Sequence, residues 1–200
     1  MLLDSTSPDE LLSKVREAYS GASDDPGGSH PFPLGLEFAL SLGYPEELLR
    51  ELPQSSVDRF TGVSNVSVFA EIPAGSTVLD LGCGAGTDSL IAAGKTGPGG
   101  QVFGVDFSPS MLAHARAGAA EAGASNLEFR EAEGKRLPFD DGTFDVVLVN
   151  GIFNLNPNRD GLFQELVRVT RPGGAFYGAE IILCEFMDDK ERAGLASWFS

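Results

Sequence analysis

The segment from Asp80 to Thr87, DLGCGAGT, constrains the fold of this chain more than any other. It follows an apolar stretch at residues 77–81 that predicts a buried strand, and it precedes a helical pattern at residues 87–95. Glycines between a strand and a helix permit a sharp turn and let a ligand approach the backbone closely. In an open parallel sheet, ligands bind at the carboxyl ends of the strands, where such turns lie. The segment therefore predicts an α/β fold with a ligand site at this turn.

Strands and helices alternate regularly after residue 75. The predicted strands are apolar stretches at residues 77–81, 102–105, 127–130, 144–149 and 175–183. Helical patterns at residues 87–95, 108–122 and 159–170 separate them, and a last helical pattern spans residues 188–199. Strands that are apolar on both faces and alternate with helices indicate a doubly wound, Rossmann-like, mainly parallel sheet covered by helices.

The first part of the chain has a different pattern. A helix starts at Ser7-Pro8, where serine can cap and proline suits the first helical position. The remaining elements are a polar loop at residues 21–33, helices at 34–42 and 45–52, and a weaker helix at 56–71. We therefore expect a helical extension at residues 1–74 and a ligand-binding core at residues 75–200.

The overall composition excludes several classes of protein. The chain has 14 Lys plus Arg against 29 Asp plus Glu, which gives a net charge of −15. Because so acidic a surface repels phosphate groups, we expect that the protein binds neither nucleic acid nor a membrane surface. Its two cysteines, Cys83 and Cys184, cannot build a disulfide framework or a four-thiolate zinc site. No apolar run approaches the ~20 residues of a membrane helix, and the N-terminus lacks signal-peptide features. We expect a soluble, cytoplasmic protein.

The carboxylates beside the glycines indicate which ligand binds. Asp106 ends the second predicted strand, 20 residues after Gly86, where it can bind ribose hydroxyls. Thr87 stands where a dinucleotide fingerprint has its third glycine, and Asp80 would repel a pyrophosphate, so an NAD-dependent oxidoreductase is disfavoured. S-adenosylmethionine is a nucleoside with a sulfonium, an ammonium and no phosphate, and it fits this pattern.

Four segments resemble the motifs of the class I S-adenosylmethionine-dependent methyltransferases, in order and in spacing. They are VLDLGCGAGTDSLIAA, VFGVDFSPSMLAHAR, LEFREAEGKRLPFDDGTFDVVLVN and RPGG. The segments VREAYSGAS, SLGYPEELL and NGIFNLNP further resemble the arsenite methyltransferases, and the chain is also similar to the ubiquinone/menaquinone C-methyltransferases. The resemblance covers about residues 76–183 and implies methyl transfer to a small-molecule acceptor, with S-adenosylhomocysteine as product.

The resemblance also implies which residues contact the cofactor. They are Tyr19, Asp80, Gly82, Cys83, Gly84, Gly86, Asp106, Phe107, Met111, Glu133, Gly134 and Asn150. Asp80 would lie near the sulfonium and Asp106 would bind the ribose diol. Glu133 would accept from the adenine amino group, and the backbone carbonyl of Asn150 would meet the methionine amine. Tyr19 would close over the cofactor. Surface charge at Glu133 and ordinary packing at Tyr19 are the alternative interpretations.

The acceptor pocket would lie beside the loop after the fourth strand. Phe153 and Asn154 are its candidate residues, with packing in the core as the alternative for Phe153. We identify no catalytic base and no metal site. Arsenite methyltransferases hold arsenic through cysteine thiolates, whereas here Gly151 occupies the matching position after the strand and residues 55–68 contain no cysteine. An organic acceptor is therefore expected, and arsenite is disfavoured.

The end of the chain raises a further expectation. The class normally adds two strands after the fifth, but only about 17 residues follow residue 183. We expect either a shortened or truncated form, or a homodimer or partner chain that covers the edge of strand five. A non-catalytic cofactor-binding or partner subunit with this fold is the alternative function.

Overall fold

The computed structural model describes residues 8–133 and 136–182. The helices are α1 (Pro8–Asp24), α2 (Gly35–Ser41), α3 (Glu46–Arg50), α4 (Gln54–Val57), α5 (Val66–Phe69), α6 (Thr87–Thr96), α7 (Pro109–Glu121) and α8 (Arg159–Val169), with a 3-10 turn at Phe153–Leu155. The strands are β1 (Thr77–Leu81), β2 (Gln101–Asp106), β3 (Leu127–Glu131), β4 (Phe144–Asn150) and β5 (Thr170–Ala179). The predicted alternation of strands and helices after residue 75 is confirmed.

The described strands form one parallel sheet in the order β3-β2-β1-β4-β5. The predicted Rossmann-like sheet is therefore confirmed. Strand β1 is central. Strands β2 and β3 follow on one side of it, and β4 and β5 follow on the other. The reversal between β1 and β4 is a topological switch point, which is where open α/β sheets bind ligands.

Helices cover both faces of the sheet. On one face, Leu79 and Val147 pack with α8 through the buried side chains of Leu162 and Leu166. On the other, Val78, Val102 and Val146 pack with Ala92 of α6 and Val66 of α5. Burial on both faces explains why β4 is apolar almost throughout.

The N-terminal helices pack against the same layer as α6 and α7. Ala39, Tyr44, Leu49 and Phe60 form a buried cluster with Ile91 of α6. Helix α1 lies against the start of α7, where the hydroxyls of Ser23 and Ser110 are 3.0 Å apart. Through these contacts α1 lies beside the carboxyl ends of β1 and β2.

Three predicted boundaries were wrong. Helix α1 continues to Asp24, into the predicted loop at 21–33, and the predicted helix at 56–71 is two short helices, α4 and α5. Strand β5 starts at Thr170 because Thr170 pairs with Phe144 and Ala175 with Val146, so the intervening RPGG segment bulges, with Gly173 at φ +82°. The predicted end of that strand at residue 183 and the predicted helix at 188–199 lie outside the described residues.

Candidate functional site

The glycine-rich turn folds back onto the end of β2. The amides of Gly82 and Cys83 both donate to the carbonyl of Val105, at 2.7 and 3.0 Å. Gly82, Gly84 and Gly86 have φ angles of +73°, +52° and +88°, which side-chain-bearing residues rarely adopt. The turn therefore needs glycine at each of these alternate positions.

Gly84 is the glycine that faces open space. A Cβ atom placed on Gly82 would overlap Cδ1 of Ile152, and one on Gly86 would lie 3.1 Å from the ring of Phe129. A Cβ on Gly84 would meet no atom within 4 Å, and Gly84 lines a cavity. The backbone at Gly84 therefore leaves room for a bound molecule to approach.

Asp106 joins this turn to the end of β2. One carboxylate oxygen accepts from the Gly84 amide at 2.9 Å and the other accepts from the Ser108 amide at 2.8 Å. Burial raises the pKa of Asp106, while the hydrogen bonds from these backbone amides oppose the rise. Since an ionised carboxylate offers about four acceptor positions, Asp106 can still bind hydroxyl groups from the cavity it lines.

Asp80 and Asp88 are two further buried carboxylates behind the turn. Asp80 accepts from the Ser89 hydroxyl at 2.5 Å, and Asp88 accepts from the Tyr44 hydroxyl at 2.6 Å and from the hydroxyl of Ser67. Burial raises the pKa of both carboxyls, and the charge of Asp88 raises that of Asp80 further. Because both groups line the cavity, a cationic ligand beside them would offset the cost of their charge.

The side chain of Asn150 fastens residues 63 and 64 to the end of β4. Its Oδ1 accepts from the amides of Val63 and Ser64, at 2.8 and 3.1 Å. Its Nδ2 donates to the Ser64 carbonyl at 2.7 Å and to Asp88 at 2.9 Å. The contact of its backbone carbonyl with a methionine amine stays a prediction.

Two adjoining cavities lie at the carboxyl ends of β1, β2 and β4. We call the first the acidic cavity, and its lining includes Tyr19, Arg59, Asp80, Gly84, Asp88, Asp106, Met111 and Asn150. We call the second the apolar cavity, and its lining includes Leu12, Val15, Arg16, Leu81, Val105, Ala132, Glu133 and Leu162. Gly82, Asp106, Phe107, Ile152 and Leu155 line both. The site is therefore elongated, with one charged end and one apolar end that meet at Asp106.

The apolar cavity carries an ion pair. Arg16 of α1 donates to Glu133 at 2.7 Å, and its guanidinium carbon lies 5.6 Å from the centre of the Phe107 ring. Both charged side chains are about half exposed. Helix α1 therefore contributes directly to the site. Gly134, predicted to contact the cofactor, lies outside the described residues.

Three other predicted residues line the acidic cavity. Tyr19 stacks on Phe32 with ring centres 4.6 Å apart, and burial together with the charge of Asp106 raises the pKa of its hydroxyl. Met111 of α7 is fully buried. Cys83 packs with Phe129, and burial raises the pKa of its thiol well above the usual value. A neutral, packed thiol is the state expected of a structural cysteine.

Phe153 and Asn154 lie in the 3-10 turn after β4, and their contact with a methyl acceptor stays a prediction. The Phe153 amide donates to Glu180 at 2.5 Å, and its ring lies 6.3 Å from that of Phe176. The Asn154 side chain donates to the carbonyl of Ile181 at 2.7 Å. The lining of both cavities contains Ile152 and Leu155, the residues on either side of Phe153 and Asn154, and neither of these two.

Asp88 and Arg59 line the acidic cavity and Tyr44 donates to Asp88, but sequence reasoning missed all three. Asp88 could have been found, since it lies in the first turn of the helix after the glycines. Tyr44 and Arg59 lie in or beside short N-terminal helices, 44 and 29 residues before Asp88, and no spacing rule connects them with it.

Residues 8–133 and 136–182 contain neither a candidate membrane span nor a candidate metal site. No helix in these ranges is both long and apolar enough to cross a membrane. No group of three His, Cys, Asp or Glu side chains there could hold a metal ion.

Sequence comparison identifies relatives of the chain. Residues 72–196 match the methyltransferase domain family. The chain is 34% identical over 197 residues to an arsenite methyltransferase of Halobacterium salinarum, covering 91% of this chain and 50% of the relative. It is 38% identical over 100 residues to a demethylmenaquinone methyltransferase of Lactococcus lactis, covering 50% of this chain and 40% of the relative. The chain thus spans half or less of the length of these relatives.

A solved structure agrees with these matches. An arsenic(III) S-adenosylmethionine methyltransferase from Chlamydomonas reinhardtii is 29% identical, with a TM-score of 0.62 over 81% of this chain and 54% of that one. The family match alone covers more than half of the 200 residues. The chain therefore belongs to the S-adenosylmethionine-dependent methyltransferase family.

Proposed function

We propose that this chain binds S-adenosylmethionine and transfers its methyl group to a small organic acceptor. The observation that carries the proposal is the position of Asp106. Its carboxylate is bonded to the amide of Gly84, the glycine that faces open space, and it lies where the acidic and apolar cavities meet. A ribose bound there would have an acidic cavity on one side and an apolar cavity on the other.

The charges of the site fit the two ends of this cofactor. Asp80 and Asp88 offer buried negative charge to a sulfonium and an ammonium group. The apolar cavity, with Phe107 at its side, offers a surface for an adenine ring. A dinucleotide would instead bring a pyrophosphate towards Asp80, Asp88 and Asp106, which would repel it.

Methyl transfer depends more on the alignment of the reacting groups than on a catalytic base. The cofactor supplies an electrophilic methyl group, and the bond from the acceptor to carbon forms as the bond from carbon to sulfur breaks. The protein must hold acceptor, methyl and sulfur in line and exclude water. Tyr19 and the segment at residues 60–62 line the acidic cavity and would supply this enclosure. The catalytic residues stay unassigned.

The thiol content of the site favours an organic acceptor over arsenite. Trivalent arsenic is a soft centre that proteins bind through several thiolates. Cys83 is the one cysteine among the described cavity-lining residues, and its pKa is raised by burial. Gly151 occupies the position after β4 that matches a cysteine of the arsenite methyltransferases. A Cβ atom at Gly151 would come within 2.9 Å of Val63. We therefore propose that arsenite is methylated poorly, if at all.

An acceptor screen tests this proposal. The chain is incubated with a methyl-labelled donor and panels of phenols, quinols, amines, thiols and arsenite with a thiol. We expect label in an organic product and no methylated arsenic above the level of a heat-inactivated control. Label in arsenic species at the rate of a multi-cysteine relative would contradict the choice of acceptor. Binding without transfer to any acceptor would favour the non-catalytic alternative.

We also propose a cytoplasmic location and a covered strand edge. A free buried thiol is typical of reducing compartments, which fits Cys83. Among the described residues, β5 pairs with β4 alone, so its other edge is open to a second copy, a partner chain or the remaining residues of this chain.

A further inference from the structure

We propose that Glu180, the residue that follows β5, is a positioning residue of the site, because its carboxylate fixes the 3-10 turn at Phe153–Leu155 to the end of the sheet. The proposal rests on the proposed function and adds a residue that acts on the bound molecule through other residues. Glu180 is absent from the described lining of both cavities. Its effect on a ligand would therefore pass through the turn.

Two side chains of opposite charge hold this turn. One oxygen of the Glu180 carboxylate accepts from the Phe153 amide at 2.5 Å, and the other accepts from the Asn154 amide at 3.4 Å. The Arg159 guanidinium donates to the Phe153 carbonyl at 3.0 Å. Phe153 is thus bonded to an anion at its amide and to a cation at its carbonyl. Because hydrogen bonds to charged groups are stronger than neutral ones, these contacts fix the position of its backbone.

The Glu180 carboxylate is partly withdrawn from water to make these contacts. It is half-buried, and burial raises its pKa above the ordinary value, while the hydrogen bonds from the turn and the charge of Arg159 oppose the rise. Its charge also contributes, after burial and the charge of Asp106, to the raised pKa of Tyr19, which lines the acidic cavity. A carboxylate in this position is costly unless it is hydrogen-bonded, and the amides of the turn meet that need.

The turn determines the outline of the site where the two cavities meet. Ile152, which precedes the turn, and Leu155, which ends it, line both cavities. The Ile152 side chain packs so closely on the glycine-rich turn that a Cβ atom on Gly82 would overlap its Cδ1. Residues 156–158, which follow, line the apolar cavity. A displacement of the 3-10 turn would therefore change the site beside Asp106, which lies at the same junction.

Titration calorimetry with S-adenosylhomocysteine tests the proposal on the wild-type chain, Glu180→Ala and Glu180→Gln. We expect roughly 10-fold weaker binding by Glu180→Ala, which is about the effect of losing one hydrogen bond to a charged group. Glu180→Gln keeps one acceptor oxygen and should retain part of the affinity. Asp145→Ala is the matched control, because the Asp145 carboxylate also accepts from a backbone amide, that of Thr77 at 2.6 Å, but lies near the start of β4 and lines neither cavity. It should bind like the wild type.

A double-mutant cycle with Ile152→Ala separates positioning from a general loss of stability. If Glu180 acts through the turn, Glu180→Ala should cost much less affinity in the Ile152→Ala background than in the wild type, because both changes disturb the same contact with the site. Hydrogen exchange gives a readout that needs no ligand. The amides of Phe153 and Asn154 should exchange faster in Glu180→Ala than in the wild type or in Asp145→Ala.

Two results would overturn this assignment alone. One is a Glu180→Ala variant that binds S-adenosylhomocysteine as tightly as the wild type does. The other is a loss of affinity that is equally large with and without Ile152→Ala, since Glu180 would then act by another route. A wild-type chain that does not bind S-adenosylhomocysteine would overturn the proposed function and, with it, this assignment.

Discussion

Three buried carboxylates give the site its character at the scale of single residues. Asp80, Asp88 and Asp106 are each nearly inaccessible to water and each has a raised pKa because of burial. Such groups lower the stability of a ligand-free protein, and proteins retain them where they bind or react. The acidity of the cavity is therefore better explained by a cationic ligand than by folding.

Asp80→Asn should make the ligand-free chain less sensitive to rising pH. Because folding raises the pKa of Asp80 above the ordinary value of 3.8, the folded state holds its proton longer than the unfolded state does. The stability that this proton provides is complete below pH 3.8 and is lost as pH rises towards the folded pKa, by at most about 1.4 kcal/mol for each pH unit. The melting temperature of Asp80→Asn should therefore fall less than that of the wild type between about pH 5 and about pH 8. The exposed Asp140→Asn is the control, and an unchanged pH dependence in Asp80→Asn would contradict the expectation.

Asp106→Ala should weaken the binding of S-adenosylhomocysteine without unfolding the chain. The variant removes the proposed acceptor for the ribose hydroxyls, and each charge-assisted hydrogen bond contributes roughly 1.5–3 kcal/mol, so we expect about 10- to 100-fold weaker binding in calorimetry. Glu131→Ala is the matched control, since Glu131 lies opposite Asp106 at the end of β3 and lines neither cavity. Equal affinity of Asp106→Ala and wild type would show that the ribose binds elsewhere.

At the scale of elements, the sequence was most informative where one short segment determines its own structure. Strand β1 has the predicted bounds, and α7 begins as predicted, with the Ser108 hydroxyl accepting from the Met111 amide. The predicted start of β5, at residue 175, was wrong. The pairing of Thr170 with Phe144 depends on a bulge that no local sequence pattern reveals. The division into residues 1–74 and 75–200 stays a prediction.

The site residues at the strand ends could be predicted from the sequence, whereas those that the N-terminal helices bring to the site could not. Asp80 and Asp106 follow from the strand pattern and the glycines, because the end of a parallel strand always faces the same edge. The network around Asp88 joins Tyr44 to Asn150, which are 106 residues apart in the sequence. Such a contact depends on how the N-terminal helices pack on the sheet, and that packing leaves no periodic signal.

Asn150→Ala should release the segment that Asn150 fastens. The amides of Val63 and Ser64 would lose their acceptor, so we expect faster hydrogen exchange at both and a stability loss of about 1–3 kcal/mol. Asn126→Ala is the control, because the Asn126 amide donates to the Ala93 and Gly97 carbonyls at the opposite end of α6. Exchange at residues 63 and 64 should be unchanged in Asn126→Ala. Unchanged exchange in Asn150→Ala would contradict the role we give its side chain.

At the scale of the whole molecule, the two edges of the described sheet differ. Beside β5, three large apolar side chains are exposed: Phe163 and Val167 of α8 by 52% and 60%, and Phe176 by 42%. An unpaired edge next to exposed apolar groups is a surface that proteins normally cover. The edge at β3 carries Glu128 and Arg130, which form an ion pair. Charged side chains of this kind are compatible with an edge exposed to solvent.

We expect the β5 edge to be protected in the assembled protein. Light scattering of the 200-residue chain should give a mass above that of a monomer, or exchange at the β5 amides should be slow in a monomer whose remaining residues cover them. In the first case, Val167→Glu should shift the mass towards the monomer. A monomer with fast exchange along β5 would contradict both forms of the prediction.

The central claim is that the elongated site between the glycine turn, Asp106 and the apolar cavity binds an adenosyl sulfonium or thioether and no dinucleotide. Titration calorimetry with S-adenosylmethionine, S-adenosylhomocysteine and NAD, accompanied by melting curves, tests it most directly. We expect saturable binding of the first two, with about 2.7 kcal/mol of added stability at a ~100-fold excess over the dissociation constant, and no binding of NAD. Absence of heat and of a melting shift with both adenosyl compounds, or equal binding of NAD, would contradict it.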